Sequence, residues 1–293
     1  MPDELVLLED RALLAVAGPD RRSFLQGLVS NDVGRVAADR AVYAALLTPQ
    51  GKYLHDFILA EAGEAIWLDA EAARLADLRR RLSIYRLRAK VDIAERPDLA
   101  VAAIFGKDAL PALGLPVETG AARPLATGVV LVDPRLAALG ARAIADRRAI
   151  AGLAEQFAAA DFAAYDGHRL ALGVPDGSRD LAPEKSILLE SGFDELNGVD
   201  WQKGCYVGQE LTARTKYRGL VKKRLFPVRI TGPAPEPGAI VTADGREVGE
   251  MRSARNGMGI ALLRLDAVAA ARPLSAGNAM LTPLRPDWMR LNG

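Results

Sequence analysis

The chain has 293 residues, of which half are apolar and about a quarter are charged, a composition typical of a soluble globular protein with more than one domain. Its 38 lysines and arginines are balanced by 37 aspartates and glutamates, so the overall charge gives no argument for binding nucleic acid or an anionic membrane. The single cysteine excludes an internal disulfide, and the two histidines argue against a conventional zinc or iron site.

The location of the protein is predicted from three features of the sequence. No apolar run reaches the roughly 18 residues that a membrane-spanning helix needs. The acidic start, MPDELVLLED, is typical of neither a secretory signal nor an Arg-rich transit peptide. A single cysteine fits a reducing compartment. Together these features predict a cytoplasmic protein without a membrane anchor.

Short strands and helices alternate in the first part of the chain, as expected for an α+β module. Thr48-Pro49-Gln50-Gly51 is a turn built from Pro and Gly, and Asp20 is a predicted N-cap. The predicted elements are a hairpin of Leu5–Leu8 and Ala12–Val16, a helix over Arg21–Val29, an antiparallel pair of Ala41–Leu47 and Tyr53–Leu59, a strand at Ile66–Leu68, a helix from Glu71 to about Ser83, and strands at Val91–Ala94 and Leu99–Phe105.

The middle of the chain, from Gly106 to Ala126, is rich in Pro, Gly and Ala, which indicates a short helix and connecting loops. Strands are predicted at Val129–Val132 and Ala141–Ala145. A helix is predicted over Gly152–Asp166, running on towards Leu172 as a second one.

After residue 222 the pattern changes to short strands separated by Gly and Pro turns, which predicts a small antiparallel β-barrel. The chain is therefore divided into a first module, 1–222, with a split into two subdomains as an alternative, and a barrel domain, 223–293. The predicted barrel strands are Leu225–Ile230, Ala239–Val241, Glu247–Met251, Gly259–Leu263 and Ala279–Thr282.

The stretch from Val199 to Arg224 contains the only cysteine, Cys205, between Gly204 and Gly208. It is predicted to form a strand at Val199–Trp201, a turn over 202–207, and a helix from Gly208 to about Tyr217 with Gly208 as N-cap. A cysteine beside Lys203 and just before a helix has the setting of a reactive thiol. The alternative is a small buried apolar residue, the usual role of a lone cysteine.

The eight consecutive residues from Lys203 to Glu210, KGCYVGQE, resemble the signature of the YgfZ family of folate-binding proteins. That family is related to the aminomethyltransferase T-protein of the glycine cleavage system. Further similar segments are Phe24–Val33, Leu47–Lys52 and Thr212–Thr215, so the resemblance spans most of the chain. It implies an α+β, aminomethyltransferase-like folate-binding module followed by a small C-terminal antiparallel β-barrel.

The resemblance also implies a function: a folate-binding accessory protein in the maturation or repair of iron–sulfur enzymes, with an indirect effect on tRNA modification. The implied cofactor is tetrahydrofolate or a derivative, and the implied partners are iron–sulfur assembly proteins or client enzymes. A four-iron cluster generally needs four protein ligands, mostly cysteines. With Cys205 alone, any cluster contact must be transient or shared with a partner.

Two other classes of function stay open at this point. One is a folate-dependent aminomethyltransferase or demethylating one-carbon transferase, and the other is a binding module without turnover. The bases from Arg214 to Arg224 suit an anionic tail, RNA or an acidic partner, or form a solvated rim. Only Tyr217 is interleaved with them, which argues against direct nucleic-acid binding.

The implied site residues come from the same resemblance. Glu190, eleven residues before Trp201, corresponds to the carboxylate that pairs with the pterin edge; an ordinary solvated glutamate is the alternative. Asp56 corresponds to an aspartate that, in the related aminomethyltransferases, helps to activate the folate nitrogen. The pair is usually Asp-Asp in those enzymes and is His55-Asp56 here; an ordinary strand-end aspartate is the alternative. Cys205 and Asp56 are therefore the predicted reactive residues. The remaining predicted folate contacts are Trp201, Lys203, Tyr206, Gln209 and Arg214.

Overall fold

The computed structural model describes residues 3–219 and 221–290, and every statement of absence below refers to these residues. Seventeen strands are labelled in chain order. They are β1 (Glu4–Leu7), β2 (Arg11–Ala17), β3 (Val42–Leu47), β4 (Tyr53–Ala62), β5 (Ala65–Glu71), β6 (Asp92–Glu95), β7 (Leu99–Phe105), β8 (Ala122–Leu125), β9 (Gly128–Val132), β10 (Ala141–Asp146), β11 (Ala158–Ala159), β12 (Lys223–Thr231), β13 (Ile240–Ala243), β14 (Arg246–Arg255), β15 (Met258–Arg264), β16 (Leu274–Ala276) and β17 (Ala279–Pro283).

The helices are short, and in the described ranges none is long and apolar enough to cross a membrane. The α-helices are α1 (Arg21–Gln26), α2 (Leu75–Tyr85), α3 (Ala109–Ala112), α4 (Arg147–Ala154), α5 (Phe162–Ala171), α6 (Gly177–Asp180), α7 (Gln209–Tyr217) and α8 (Leu265–Ala269). Single 3₁₀ turns lie at Val33–Arg35, Ala72–Arg74, Ala137–Leu139 and Leu188–Ser191.

The chain forms two compact units, each built from separate stretches of sequence. The first unit contains residues 3–47, 54–165 and 197–207, and the second contains residues 48–53, 166–196 and the described residues from 208 to 290. The predicted division at residue 222 stays a prediction, and residues 291–293 of the predicted barrel domain lie outside the described residues.

The first unit contains two sheets with separate cores. A six-stranded sheet has the order β11-β1-β7-β10-β9-β8, and a five-stranded sheet has the order β3-β4-β5-β2-β6. Leu5 and Ile104 belong to the core of the six-stranded sheet, whereas Leu14 and Phe57 belong to the core of the other sheet. Helix α2 buries Leu75, Leu78 and Leu82 at helical spacing against this second core.

The predicted hairpin at the start of the chain is wrong, although both of its strands exist. Strand β1 pairs antiparallel with β7 and parallel with β11, whereas β2 pairs with β5 and β6. The two apolar runs join different sheets, because the side chains of β1 pack into one core and those of β2 into the other. Sequence periodicity identifies a strand but does not identify its partner.

The predicted helix over Gly152–Asp166 is also wrong. Helix α4 ends at Ala154, β11 follows at Ala158–Ala159, and α5 begins at Phe162. The Asp161 carboxylate accepts a hydrogen bond of 2.8 Å from the Ala164 amide and so starts a new helix. Between the two helices, the backbone amide of Ala158 donates to the Asp3 carbonyl, which directs the chain into the sheet.

The second unit confirms the predicted β-barrel. Six strands close in the order β12-β15-β14-β13-β16-β17, and all of the recorded pairings are antiparallel. Phe226, Val228 and Met251 are among the fully buried residues of its core. Strand β16 was not predicted, because three residues are too few to show an alternating pattern.

Candidate functional site

The first part of the segment that resembles the family signature, residues 203–207, is fixed to the end of helix α1 and to the loop after it, within the first unit. The Lys203 Nζ donates to the backbone carbonyls of Gln26, Val29 and Asn31 at 2.8, 2.6 and 2.7 Å. The last carbonyls of a helix have no intrahelical partner, and a cation there also complements the helix dipole. Lys203 thus ties the 202–207 turn to the last residue of α1 and to the loop that follows the helix.

Backbone contacts attach this turn at two further points. The amides of Gln202 and Lys203 both donate to the Asp200 Oδ1, at 2.7 and 2.9 Å. The Val207 amide donates to the Gly27 carbonyl at 3.1 Å. The predicted strand at Val199–Trp201 is wrong, because Asp200 instead forms a side-chain-to-backbone turn of the kind aspartate favours.

The electrostatic state of Lys203 reflects its partial burial. Burial lowers the pKa of Lys203 to about 8, against the opposing influence of the Asp32 and Asp200 carboxylates. Its Nζ also lies 5.1 Å from the centroid of the Tyr206 ring, a cation–π distance. Lys203 and Tyr206 are therefore in contact inside the same turn.

Cys205, between these two residues, has an exposed and free thiol. The alternative of a buried packing cysteine is therefore wrong. Gly204 is also exposed, and a Cβ added there would have no atom within 4 Å. The thiol is carried by a turn whose backbone is fixed on both sides, so it is presented outward in a defined position.

Helix α7 begins where the prediction placed it. Gly208 adopts φ 82°, the left-handed conformation that glycine tolerates best, and forms the N-cap of the helix. Gln209, the first helical residue, is half-buried, and Arg214 is exposed on the same helix. The turn over residues 48–52 lies against this helix start within the second unit: a Cβ added at Gly51 would stand 2.6 Å from the Leu211 Cβ. Two of the segments that carry the resemblance are thus neighbours.

Glu190 lies in the 3₁₀ turn Leu188–Ser191 of the second unit and is half-buried. Burial raises the pKa of Glu190, and the positive charges of Lys52 and Lys223 oppose that rise. The Tyr53 amide donates to the Ser186 carbonyl at 3.0 Å, which aligns the chain before Glu190 with the residues after the 48–52 turn. A partly desolvated carboxylate with two lysines near it can accept hydrogen bonds from a ligand that also carries negative charge.

Asp56 is buried in strand β4 of the first unit. The Tyr43 hydroxyl donates to the Asp56 Oδ2 at 2.9 Å, and the Arg135 guanidinium lies 5.8 Å from the Tyr43 ring centroid. Burial and the Asp56 carboxylate raise the pKa of Tyr43 well above its ordinary value, so the phenol stays a hydrogen-bond donor. Asp56 is therefore an oriented acceptor, supported by residues that the sequence did not single out.

The histidine before Asp56 has a structural role. The His55 Nε2 is 2.9 Å from the Asp77 Oδ2 of helix α2, and burial lowers the pKa of His55 to about 4. The imidazole is consequently neutral at physiological pH. Its partner Asp77 also accepts hydrogen bonds from Arg80 and Arg81.

A chain of buried ion pairs that sequence reasoning missed lies in the same unit. Asp69 accepts from Arg11 at 2.7 Å and from Arg142 at 2.6 Å. Arg142 also contacts Asp133, which pairs with Arg135 at 2.8 Å. The sequence does contain one signal for these ion pairs: Arg142 is the one charged residue in the otherwise apolar predicted strand Ala141–Ala145. This series of ion pairs ends at Arg135, the residue whose guanidinium lies beside the Tyr43 ring.

The predicted site residues are thus divided between the units. The first unit contains Asp56, Lys203, Cys205 and Tyr206, together with the half-buried Trp201, and the second contains Glu190, Gln209 and Arg214. Across the described part of the chain, no group of three or more His, Cys, Asp or Glu side chains is arranged to hold a metal ion.

Comparison with known proteins decides the family. The human mitochondrial iron–sulfur cluster assembly factor IBA57 is 36% identical over an alignment that covers 96% of this chain and 84% of the human protein. The chain belongs to the IBA57 family. The mouse protein of the same name is 35% identical with the same coverage, and the Neurospora crassa homologue is 33% identical over 82% of this chain and 56% of its own length. The predicted YgfZ resemblance is a broader grouping than this family.

Two further similarities support the architecture. Residues 222–291 match the C-terminal β-barrel domain of CAF17. The glycine cleavage system aminomethyltransferase T from Bartonella henselae has a similar fold, with a TM-score of 0.80 over 97% of this chain and 85% of that chain. At 17% sequence identity this likeness concerns the fold alone, and it confirms the predicted aminomethyltransferase-like fold with a C-terminal barrel.

The IBA57 relatives also correct the predicted location. The human, mouse and Neurospora crassa proteins are mitochondrial by name, so the prediction of a cytoplasmic protein is wrong. The argument rested on a single cysteine and an acidic start. A single cysteine excludes an internal disulfide but does not distinguish one reducing compartment from another.

Proposed function

We propose that this IBA57 family member is an accessory factor in the maturation or repair of iron–sulfur enzymes, and that the Cys205 thiol is the group that meets the cluster or its acceptor. The observation that carries the proposal is an exposed thiol on a turn tied to helix α1 by the three hydrogen bonds of Lys203. A thiolate in a fixed position is a suitable ligand for iron shared between two proteins. The names of the relatives support the same role.

The cluster in this proposal is cargo. One cysteine supplies one thiolate, whereas a four-iron cluster is generally held by four ligands. The remaining ligands must come from a partner, an iron–sulfur assembly protein or a client enzyme. A loss of function would then affect tRNA modification indirectly, through modifying enzymes that contain clusters.

A reduced folate is the proposed second ligand, bound through Glu190. Desolvation of a carboxylate strengthens its hydrogen bonds, and the pterin edge offers two adjacent donors to it. Lys52 and Lys223, whose charges act on Glu190, suit the anionic tail of the same ligand. Asp56, oriented by Tyr43, stays a separate predicted acceptor within the first unit. Trp201, Tyr206, Gln209 and Arg214 stay predicted contacts.

Lys203 is assigned a positioning role within this proposal. Its ammonium has three donors, and the carbonyls of Gln26, Val29 and Asn31 accept from them. It therefore acts by fixing the turn that presents Cys205. The transferase alternative is not favoured, because the likeness to the aminomethyltransferase concerns the fold alone.

The test uses cells that lack this protein and are complemented with the wild type or with Cys205→Ser. Serine keeps the size of the side chain but is a much poorer iron ligand, so the activity of a four-iron enzyme should fall towards that of the uncomplemented cells. The purified variant should keep its melting temperature and its affinity for tetrahydrofolate. Full enzyme activity with Cys205→Ser at wild-type expression would contradict the proposal.

A further inference from the structure

The end of helix α2 and the turn after it form an exposed surface that combines aliphatic side chains with positive charge. Ile84 is 60% exposed and Leu87 is 90% exposed, the highest value among the large hydrophobic residues in the described ranges 3–219 and 221–290. Arg86, Arg88 and Lys90 lie beside them in sequence and are all exposed. These five residues are called the 84–90 surface below.

The charge of this segment is local and one-sided. Residues 79–90 contain six arginines and lysines and no acidic residue, in a chain whose net charge is +1. Arg80 and Arg81 are engaged with Asp77, and Arg79 lies 3.5 Å from Glu95. The three bases of the 84–90 surface are thus the part of the run that these acids leave uncompensated.

The turn presents Leu87 in a fixed and strained conformation. Leu87 adopts φ 40°, a left-handed conformation that is unfavourable for a branched apolar residue. The Ala89 amide donates to the Arg86 carbonyl at 2.7 Å, and the Lys90 amide donates to the Asp20 carboxylate at 2.7 Å. Strained backbone that the surroundings hold in place is found where proteins contact ligands.

The packing of unit 1 does not account for these features. A basic residue at the end of α2 complements the helix dipole, which explains one charge near Arg86. It does not explain Leu87, which points away from the core that Leu75, Leu78 and Leu82 complete. An exposed leucine with an exposed arginine on each side of it in sequence is consistent with a protein interface, which has an apolar centre and a polar rim.

We infer that the 84–90 surface docks an acidic protein partner, whose carboxylates surround an apolar recess that receives Leu87. Two other anionic partners fit less well. Tyr85, the aromatic residue of the segment, packs against the core and is not available to stack on bases. A membrane-bound helix needs a broad apolar face, and the apolar face of α2 is already buried in this unit.

The first experiment identifies the partner by contact. The photo-reactive residue p-benzoylphenylalanine is placed at position 87 of the full chain in cells, and at position 117 as a control. Val117 is also in the first unit and is 78% exposed, but there is no lysine or arginine within five residues of it in sequence. The inference requires a protein cross-linked at position 87 and not at 117, through a peptide rich in Asp and Glu.

The second experiment tests the charges on the purified pair. Reversing Arg86→Glu and Arg88→Glu should slow association by about tenfold or more and reduce its salt dependence. The control pair, Lys107→Glu with Arg148→Glu, makes the same charge change at exposed residues of the same unit and should leave association nearly unchanged. Lysines introduced at the partner's contacted carboxylates should restore binding to the reversed variant.

Several outcomes would overturn the inference. These are the absence of a cross-link at position 87 above the control, a cross-link to RNA or lipid, and equal association by the two charge variants. The melting temperatures of both variants are measured as well, so that a loss of association caused by unfolding is recognised. None of these results depends on Cys205 or on folate, so they fail or succeed separately from the proposed function.

Discussion

Gly51 lies directly against Leu211, with no room between them for a side chain. A Cβ added at Gly51 would stand 2.6 Å from the Leu211 Cβ and 2.7 Å from the Gly208 carbonyl oxygen. Gly51 has φ 81°, and its amide closes the turn by donating to the Thr48 carbonyl at 2.8 Å. The 48–52 turn and the start of α7 therefore form one packed element.

Substituting Gly51→Ala should destabilise this element more than the same change at Gly63. Both glycines have positive φ, but a Cβ at Gly63 would meet no atom within 4 Å. The left-handed conformation alone costs about 1–2 kcal/mol for alanine. The clash with Leu211 should add about 1–3 kcal/mol at Gly51. Urea unfolding followed by circular dichroism measures both values. Equal losses of stability would show that helix α7 shifts at little cost to accommodate the added Cβ.

The same pair shows where sequence reasoning succeeds and where it stops. The Pro-Gly turn and the Gly208 helix start are local signals, and both elements lie where they were predicted. The barrel strands were predicted for the same reason, from Gly and Pro turns between apolar runs. The contact of Gly51 with Leu211 joins residues far apart in sequence, so no local pattern predicts it.

The candidate site likewise combines residues that sequence reasoning singled out with contacts between distant residues that it missed. The resemblance singles out Cys205 within its motif and Glu190 by its distance of eleven residues from Trp201, and both stay predictions as site residues. The support for Asp56 was missed because Tyr43 and Arg135 come from two other parts of the chain. The structural role of Lys203 was missed as well, because this role depends on the positions of backbone carbonyls at and after the end of α1.

Removing one partner from the buried ion pairs of the first unit should be strongly destabilising, because it leaves a buried charge uncompensated. Arg142→Met leaves the buried carboxylates of Asp69 and Asp133 with one cation fewer, and it should lower the free energy of unfolding by about 3–5 kcal/mol. Arg147→Met is the control: it breaks the exposed pair with Glu9 and should leave the free energy of unfolding nearly unchanged. Thermal unfolding compares them, and similar small losses would contradict the role given to Arg142.

Glu190 should be the main determinant of folate affinity. Glu190→Gln removes the negative charge and one acceptor, and the unpaired pterin donor should weaken tetrahydrofolate binding by about 1–3 kcal/mol in calorimetry. Because burial raises the pKa of Glu190, binding should weaken on acidification at a higher pH than the ordinary value of 4.5 would give. Glu236→Gln, an exposed glutamate of the same unit, is the control. Equal affinity of both variants would exclude Glu190 from the pocket.

Lys203 provides a pH-dependent test of the turn that carries Cys205. Its pKa in the folded protein is about 8, below the 10.5 of a free lysine. Below pH 8 the residue is charged in both states, and the whole cost of its burial is present. Between pH 8 and 10.5 the unfolded chain binds more protons at Lys203 than the folded chain does. The contribution of this residue to stability therefore rises with pH in that window.

Lys203→Met should reveal this dependence as a difference between two unfolding curves. At pH 7 the variant leaves the carbonyls of Gln26, Val29 and Asn31 without their donor and should be less stable by about 1–3 kcal/mol. From pH 8 to 10 the difference in the free energy of unfolding between wild type and variant should widen. Only the wild type has a buried ammonium that loses its charge by deprotonation in this range. Lys185→Met, at an exposed lysine, should stay within about 0.5 kcal/mol of the wild type. A gap that is constant or narrows with pH would show that the Lys203 ammonium is not desolvated in this turn.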